Sequence, residues 1–156
     1  MGNLGQHPAA KVVALAESSE GNLARFRKWF PGTRKLPSFS DYREMLEKVE
    51  LEGVVIATPH TLHFEQMMGS LERGCHVLVE KPMVCRVEHA KEVIAKAKQA
   101  KRVLMIAYQR HFMGPYRGTR ELIARGELGE VIFISAMQAQ NWRRGVQGSW
   151  RHDPEL

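Results

Sequence analysis

Gly74-Cys75-His76-Val77-Leu78-Val79-Glu80-Lys81-Pro82 opens on a turn glycine, runs through a short apolar strand from His76 to Val79, and ends abruptly in Glu-Lys-Pro. An apolar run of this length suits the middle of a buried sheet. Two charged residues do not stay in such a core, so Glu80 and Lys81 must emerge at the strand's C-terminal end. In open α/β sheets that rim is where ligands bind. Pro82 has no N–H, so it stops the ladder and fixes the backbone just after the lysine. The stretch therefore presents one ammonium group at a ligand crevice. Taken alone, a lysine at a strand end is more often a solvated charge. The flanking sequence decides between the two readings.

On the N-terminal side, Lys11–Ala16 reads as a buried strand that leaves through Glu17-Ser18-Ser19. Leu23, Phe26 and Phe30 then recur at helical spacing over Glu20–Phe30, and Pro31-Gly32 ends that helix. Pro37 confines any strand in Arg34–Phe39 to an edge. Ser40 is the expected N-cap of the next helix, whose stripe is Tyr42, Met45, Leu46 and Val49. Gly53–Ala57 is a second buried strand, with a polar exit at Thr58-Pro59-His60, and Phe64, Met67, Met68 and Leu71 mark the helix leading to Gly74. On the C-terminal side, Val87, Ala90, Ile94 and Ala97 give another stripe, and Arg86 stands where a helix cap is wanted. Val103–Ala107 is a strand leaving through Tyr108-Gln109-Arg110-His111. Tyr116, Leu122 and Ile123 suggest one more helix, closed by Gly126 and Gly129. Val131–Ala139 is expected to begin a strand of a different, partly alternating kind.

Strands separated by helical stripes indicate an α/β fold, a parallel sheet with right-handed crossovers. Parallel strands exit on the same side, so Glu17, Thr58 to His60, Glu80-Lys81 and Gln109 to His111 are expected on one rim. The Phe, Met and Leu stripes are core. His60, His63 and His76 lack a metal-ligand spacing, so no metal is expected, and no Gly-rich P-loop is present. His63, near a helix start, reads as a structural hydrogen-bonding residue in preference to a ligand.

Bulk properties narrow the classes. The 156 residues are about one domain's worth, with 44% apolar and 26% charged residues, as in ordinary globular chains. No apolar run approaches the ~20 residues of a membrane span, and Met1–Pro8 lacks the pattern of a signal peptide. A cytoplasmic protein with reduced thiols is expected, with Cys75 and Cys85 too few for a disulfide scaffold. The net charge of +6 is spread along the chain without a basic block interleaved with aromatics, so nucleic acid is not an expected partner.

Several motifs in order carry a resemblance: Ala57-Thr58-Pro59-His60-Thr61-Leu62-His63, then Gly74 to Pro82, then Ala107-Tyr108-Gln109-Arg110, then Gly126-Glu127-Leu128-Gly129, then Trp150-Arg151-His152-Asp153-Pro154. From about His7 onward the chain resembles the glucose–fructose oxidoreductase / inositol dehydrogenase family (Gfo/Idh/MocA). The resemblance implies a Rossmann domain binding NAD, or NADP, followed by an α/β domain that binds substrate and often mediates oligomerisation. It implies oxidation of a sugar, polyol or cyclitol hydroxyl, or reduction of the matching ketone, and a homo-oligomer in the full-length form. Lys81 would be catalytic, contacting the reacting hydroxyl and the nicotinamide ribose. Glu80 and Pro82 would shape its turn, with a cis bond before Pro82. Glu17 would bind the adenosine ribose hydroxyls and favour NAD. Thr58, Pro59, His60 and His63 would line the cofactor crevice, and Arg110 would lie near the passage into the second domain.

Two departures from the family pattern set further expectations. The family opens with a strand and a GxGxxG turn, whereas this chain starts Met1-Gly2-Asn3-Leu4-Gly5. That strand is the central one of the order 3-2-1-4-5-6, so the strands at Val12–Ala16 and Gly53–Ala57 are expected to face each other across a gap with unpaired edges. The family's later glycine cluster, with its Asp and acid–base His, has no counterpart before Leu156. The expectation is a fragment: residues 1–111 an incomplete dinucleotide-binding Rossmann domain, residues 112–156 the start of the substrate domain, and the isolated chain inactive. Two alternatives stand beside it, a non-catalytic dinucleotide-sensing or interaction protein on the same scaffold, and an inactive truncated product.

Titration of the purified chain with NADH, followed by fluorescence, is expected to show very weak or no binding, because no glycine turn in this sequence directs a helix N-terminus at the pyrophosphate. Tight binding would overturn that expectation.

Overall fold

The computed structural model describes residues 7–141 and Trp150. In chain order the elements are β1 (Leu15–Ala16), α1 (Glu20–Trp29), β2 (Ser38–Phe39), α2 (Tyr42–Lys48), β3 (Gly53–Ile56), α3 (His63–Glu72), β4 (His76–Val79), α4 (Val87–Ala100), β5 (Leu104–Ile106) and α5 (Gly114–Ala124). Short 3₁₀ turns at Pro31–Thr33, His60–Leu62 and Gln109–Phe112 join them.

Every strand pairing is parallel. β3, β4 and β5 form one sheet in that order, with Gly53 opposite His76, Ile56 opposite Val79, and Val79 opposite Ile106. β1 and β2 form a separate two-stranded sheet. The expected gap is therefore present: among the described residues no strand lies between β1 and β3. The two halves meet through helices instead. Tyr42 and Leu46 of α2 come against α3 at Gly69, where an added Cβ would lie 3.7 Å from Tyr42. Arg43–Glu65 and Arg73–Glu47 add ion pairs across the same joint. Both are solvated, so packing contributes more there than charge.

The core lies under one face of the larger sheet. Ile56, Val77 and Val79 on the strands meet Met67 and Leu71 of α3 and Val93 and Ala97 of α4. Right-handed crossovers that advance in one direction carry both helices to the same face. The opposite face holds the in-register row Val55, Leu78 and Met105, of which Val55 is 42% and Met105 40% exposed. The expectation that these apolar strands are buried on both faces is thus corrected.

Other expectations shift in detail. The strand expected over Lys11–Ala16 is laddered only at Leu15–Ala16, because its partner supplies just Ser38 and Phe39, flanked by bonds from Leu15 N–H to Pro37 O and from Glu17 N–H to Phe39 O. The strands expected to reach Ala57 and to begin at Val103 are Gly53–Ile56 and Leu104–Ile106. The N-cap of α2 is Asp41, not Ser40, because the Asp41 carboxylate is the one that accepts from Arg43 N–H at 2.9 Å. Arg86 caps α4 without a side-chain bond. Val131–Ala139 forms no strand: no described strand lies beside it, and a ladder needs a partner. Gly74, closing α3 into β4, has φ +74°, which explains a glycine there.

Leu71 is 1% exposed and Ile132 89% exposed. Leu71→Ala is expected to destabilise the fold by about 3 kcal/mol, and Ile132→Ala by less than about 0.5 kcal/mol, as read by urea denaturation.

Candidate functional site

The shared register makes β3, β4 and β5 end at one level, so the segments after Ile56, Val79 and Ile106 leave from a single rim. Thr58, Pro59 and His60 follow β3. Glu80, Lys81 and Pro82 follow β4, and Gln109, Arg110 and His111 follow β5. Two main-chain bonds carry the pairing slightly past the strands: Glu80 N–H donates to Ile56 O at 2.9 Å, and Ala107 N–H to Val79 O at 2.8 Å.

Beyond Glu80 the chain turns sharply. The Lys81–Pro82 peptide is cis. The Glu80 carboxylate accepts from the Lys81 backbone N–H at 3.2 Å. The Lys81 side chain is exposed, and among the described residues no carboxylate pairs with its ammonium.

His63, the first residue of α3, is fully buried beneath this rim. Its Nδ1 lies 2.8 Å from Pro82 O and its Nε2 3.0 Å from Thr58 O, so one ring spans the exits of β3 and β4. The Thr58 hydroxyl donates to Gln66 Oε1 at 2.6 Å. Pro59 starts the 3₁₀ turn that leads into α3, and the His60 ring sits edge-on to Trp150 at 4.9 Å between centroids.

Arg110 is exposed, lies over the Tyr116 ring at 5.9 Å, and donates to the Gln138 side-chain oxygen. It thus ties the β5 exit to α5 and to the segment around residue 138. Glu17 leaves β1, in the other sheet, and one of its carboxylate oxygens accepts from Ser19 N–H at 2.9 Å. The rim thus gathers Thr58, Pro59, His60, Glu80, Lys81, Pro82 and Arg110. Glu17 stands in the neighbouring two-stranded unit and His63 lies underneath.

Sequence reasoning missed two features. Gln66, three residues along α3 from His63, holds Thr58, a residue outside that helix, so helical spacing does not mark the pair. The double carbonyl contact of His63 has no signal in the sequence. An open depression of about 330 Å³ lies between α4 and β5, lined by Met83, Ile94, Ala97, Leu104 and Ile106 together with the cationic Lys98, Lys101 and Arg102. It contains none of the rim's reactive groups. No helix of the described residues is long and apolar enough to cross a membrane, and no metal-ligating cluster occurs among them.

Comparison with known proteins bears on this rim. A family model described as an oxidoreductase family with an NAD-binding Rossmann fold matches residues 1–108. D-xylose 1-dehydrogenase (NADP(+)) of Hypocrea jecorina is 34% identical over 123 residues, 78% of this chain and 32% of that protein. D-glucoside 3-dehydrogenase of Escherichia coli is 32% identical over 110 residues, 70% of this chain and 31% of that protein. The chain thus spans about a third of the length of these relatives. Among solved structures, scyllo-inositol dehydrogenase from Lactobacillus casei with bound NAD(H) and scyllo-inositol superposes with a TM-score of 0.75 at 23% identity, over 83% of this chain and 38% of that one, which shows the fold. A 3-ketoreductase from Actinomadura kijaniata in complex with TDP-benzene and NADP gives a TM-score of 0.68 at 27% identity, over 79% of this chain and 38% of that one.

The two thiols differ. Cys75 is buried, its Sγ–H pointing to Leu51 O at 3.4 Å, and burial pushes its pKa up, opposed by nearby Arg102. Cys85 is exposed. Because the thiolate is the reactive form, iodoacetamide is expected to modify Cys85 alone in the native chain and both cysteines after denaturation, as counted by mass spectrometry.

Proposed function

This chain belongs to the oxidoreductase family with an NAD-binding Rossmann fold, and on that premise we propose that it forms the dinucleotide-binding part of an NAD(P)-dependent oxidoreductase acting on a sugar, polyol or cyclitol hydroxyl, or on the matching ketone. The observation that carries this reading is the Lys81 ammonium, exposed and unpaired among the described residues, on a turn at the common rim of β3, β4 and β5.

The residues fit the two ends of a dinucleotide. Glu17 has one oxygen on Ser19 N–H, which leaves the other to accept from ribose hydroxyls. Its charge opposes a 2′-phosphate, which supports NAD, while a relative named for NADP(+) keeps NADP within the proposal. Thr58, Pro59 and His60 form one lip of the crevice and Glu80 to Pro82 the other. Arg110 borders the passage toward residues 112–156. The family match ending at residue 108 supports a dinucleotide domain over residues 1–111.

A nicotinamide dinucleotide, when bound, accepts or supplies the hydride. The chain's own contribution is electrostatic. Hydride leaves a carbinol carbon readily only as the hydroxyl proton is removed. An ammonium beside that oxygen stabilises the developing alkoxide and so eases transfer of its proton to a general base or to water. Lys81 meets that need because its charge is not already neutralised. Thr58, held by Gln66, keeps the opposite lip in place.

In the full-length protein, Lys81→Met is expected to lower turnover by about 100-fold or more while leaving the NADH dissociation constant within a few-fold of wild type. Near-normal turnover removes Lys81 from the mechanism. Tight NADH binding by the wild type without turnover of any sugar, polyol or cyclitol favours a dinucleotide-sensing protein instead.

A further inference from the structure

The buried polar side chains among the described residues are His63 and Ser70. Ser70 returns its hydroxyl to its own helix, donating to Gln66 O at 2.7 Å. His63 does not: both its ring nitrogens face carbonyl oxygens outside α3, those of Pro82 and Thr58. A buried imidazole is costly to desolvate unless its nitrogens are hydrogen-bonded. Carbonyl oxygens only accept, so either contact is a hydrogen bond only where the facing ring nitrogen carries the proton. A neutral imidazole offers one N–H and the imidazolium two.

The Pro82 contact matters because little else holds that turn. The β4 ladder ends with Glu80 N–H on Ile56 O. Pro82 has no N–H to donate, and the Lys81 N–H is taken by the Glu80 side chain. Among the described residues, no main-chain-to-main-chain bond joins Lys81, Pro82, Met83 or Val84 to another element. The imidazole of His63 is thus the polar tie between the lysine's turn and the helix beneath it.

We infer that His63 is a positioning residue for Lys81: by donating from Nδ1 to Pro82 O it fixes the turn that aims the ammonium, while itself touching neither cofactor nor substrate. The catalytic part of this inference rests on the oxidoreductase reading; the mechanical part does not. Burial excludes a ligand contact, and Nε2 lies 3.0 Å from Thr58 O on the opposite lip.

Three variants of the full-length protein separate the roles. An asparagine amide stands near where Nδ1 stood, and a glutamine amide near where Nε2 stood. His63→Asn is expected to keep kcat within about threefold of wild type. His63→Gln and His63→Leu are expected to lose about 100-fold in kcat, the scale of an ångström-sized misplacement, with the NADH dissociation constant unchanged within threefold. All rates are taken per folded protein, from the native fraction by circular dichroism. Backbone order parameters of Lys81 and Met83, measured by NMR, are expected to fall from about 0.85 to below about 0.6 in His63→Leu and to recover in His63→Asn, with Val77 and Val79 unchanged.

A His63→Leu turn as rigid as the wild type overturns the inference. So does an asparagine variant no better than the glutamine one, or a rise in the NADH dissociation constant that accounts for the whole loss. If the wild type turns over no sugar, polyol or cyclitol, the oxidoreductase reading fails, and the order parameters still decide whether His63 holds the turn.

Discussion

Parallel pairing in register governs everything at the rim. With Gly53 opposite His76 and Val79 opposite Ile106, three strands end at one level, and whatever follows them is delivered to the same place. The register is itself held by the core. Val77 and Val79 face α3 and α4, whereas Leu78 faces the other way in a row with Val55 and Met105. A slip of one residue in β4 would exchange those sets, burying Leu78 and turning two fully packed valines outward. Because the slip would also move Glu80 and Lys81 by about 3.3 Å along the strand, the packing that stabilises the sheet and the level at which the ammonium emerges are one constraint.

Elements bounded by strong punctuation were legible in the sequence. β4 matches its reading to the residue because Gly74 and Glu80 close it on both sides. α3 follows from its apolar stripe. α4, in contrast, turns Val93 and Ala97 to the core and leaves Val87 and Ile94 of its expected stripe exposed, as are Tyr116, Leu122 and Ile123 of α5, because no described element covers those faces. Features that depend on a partner were not legible. The extent of β1 is set by the two residues β2 offers, which nothing in Lys11–Ala16 encodes. Ser40 and Asp41 are both good cap residues, and only the bond to Arg43 N–H distinguishes them. Lys101 closes α4 in the left-handed region, at φ 53°, a place where glycine is the expected signal. Val131–Ala139 has the composition of a strand but no described neighbour to pair with.

The candidate site divides the same way. Charged or polar residues after apolar runs are visible as strand exits, so the rim positions could be read from where those runs end and from proline placement. The support beneath them could not. His63 reads as a structural hydrogen-bonding residue at a helix start, as found, but the sequence names neither of its partners. Its burial follows from the meeting of α3 with two loops far apart in sequence, Thr58 on one side and Pro82 on the other. Gln66 is hidden for the same reason, since its partner Thr58 lies outside its helix.

The adjacency of Glu80 and Lys81 poses a last question of charge. A carboxylate next to an ammonium in sequence invites an ion pair, which would neutralise the cation the proposed chemistry needs. The turn resolves this by engaging Glu80 elsewhere. Its carboxylate accepts the backbone N–H of Lys81, while the main chain of Glu80 stays bonded to β3. The carboxylate is held at the lysine's own backbone N–H, and among the described residues it makes no ion pair with the exposed ammonium. At the exposed rim a solvated pair would be worth little in stability, so keeping the two charges apart costs the fold almost nothing and leaves the ammonium available to an oxygen that develops negative charge.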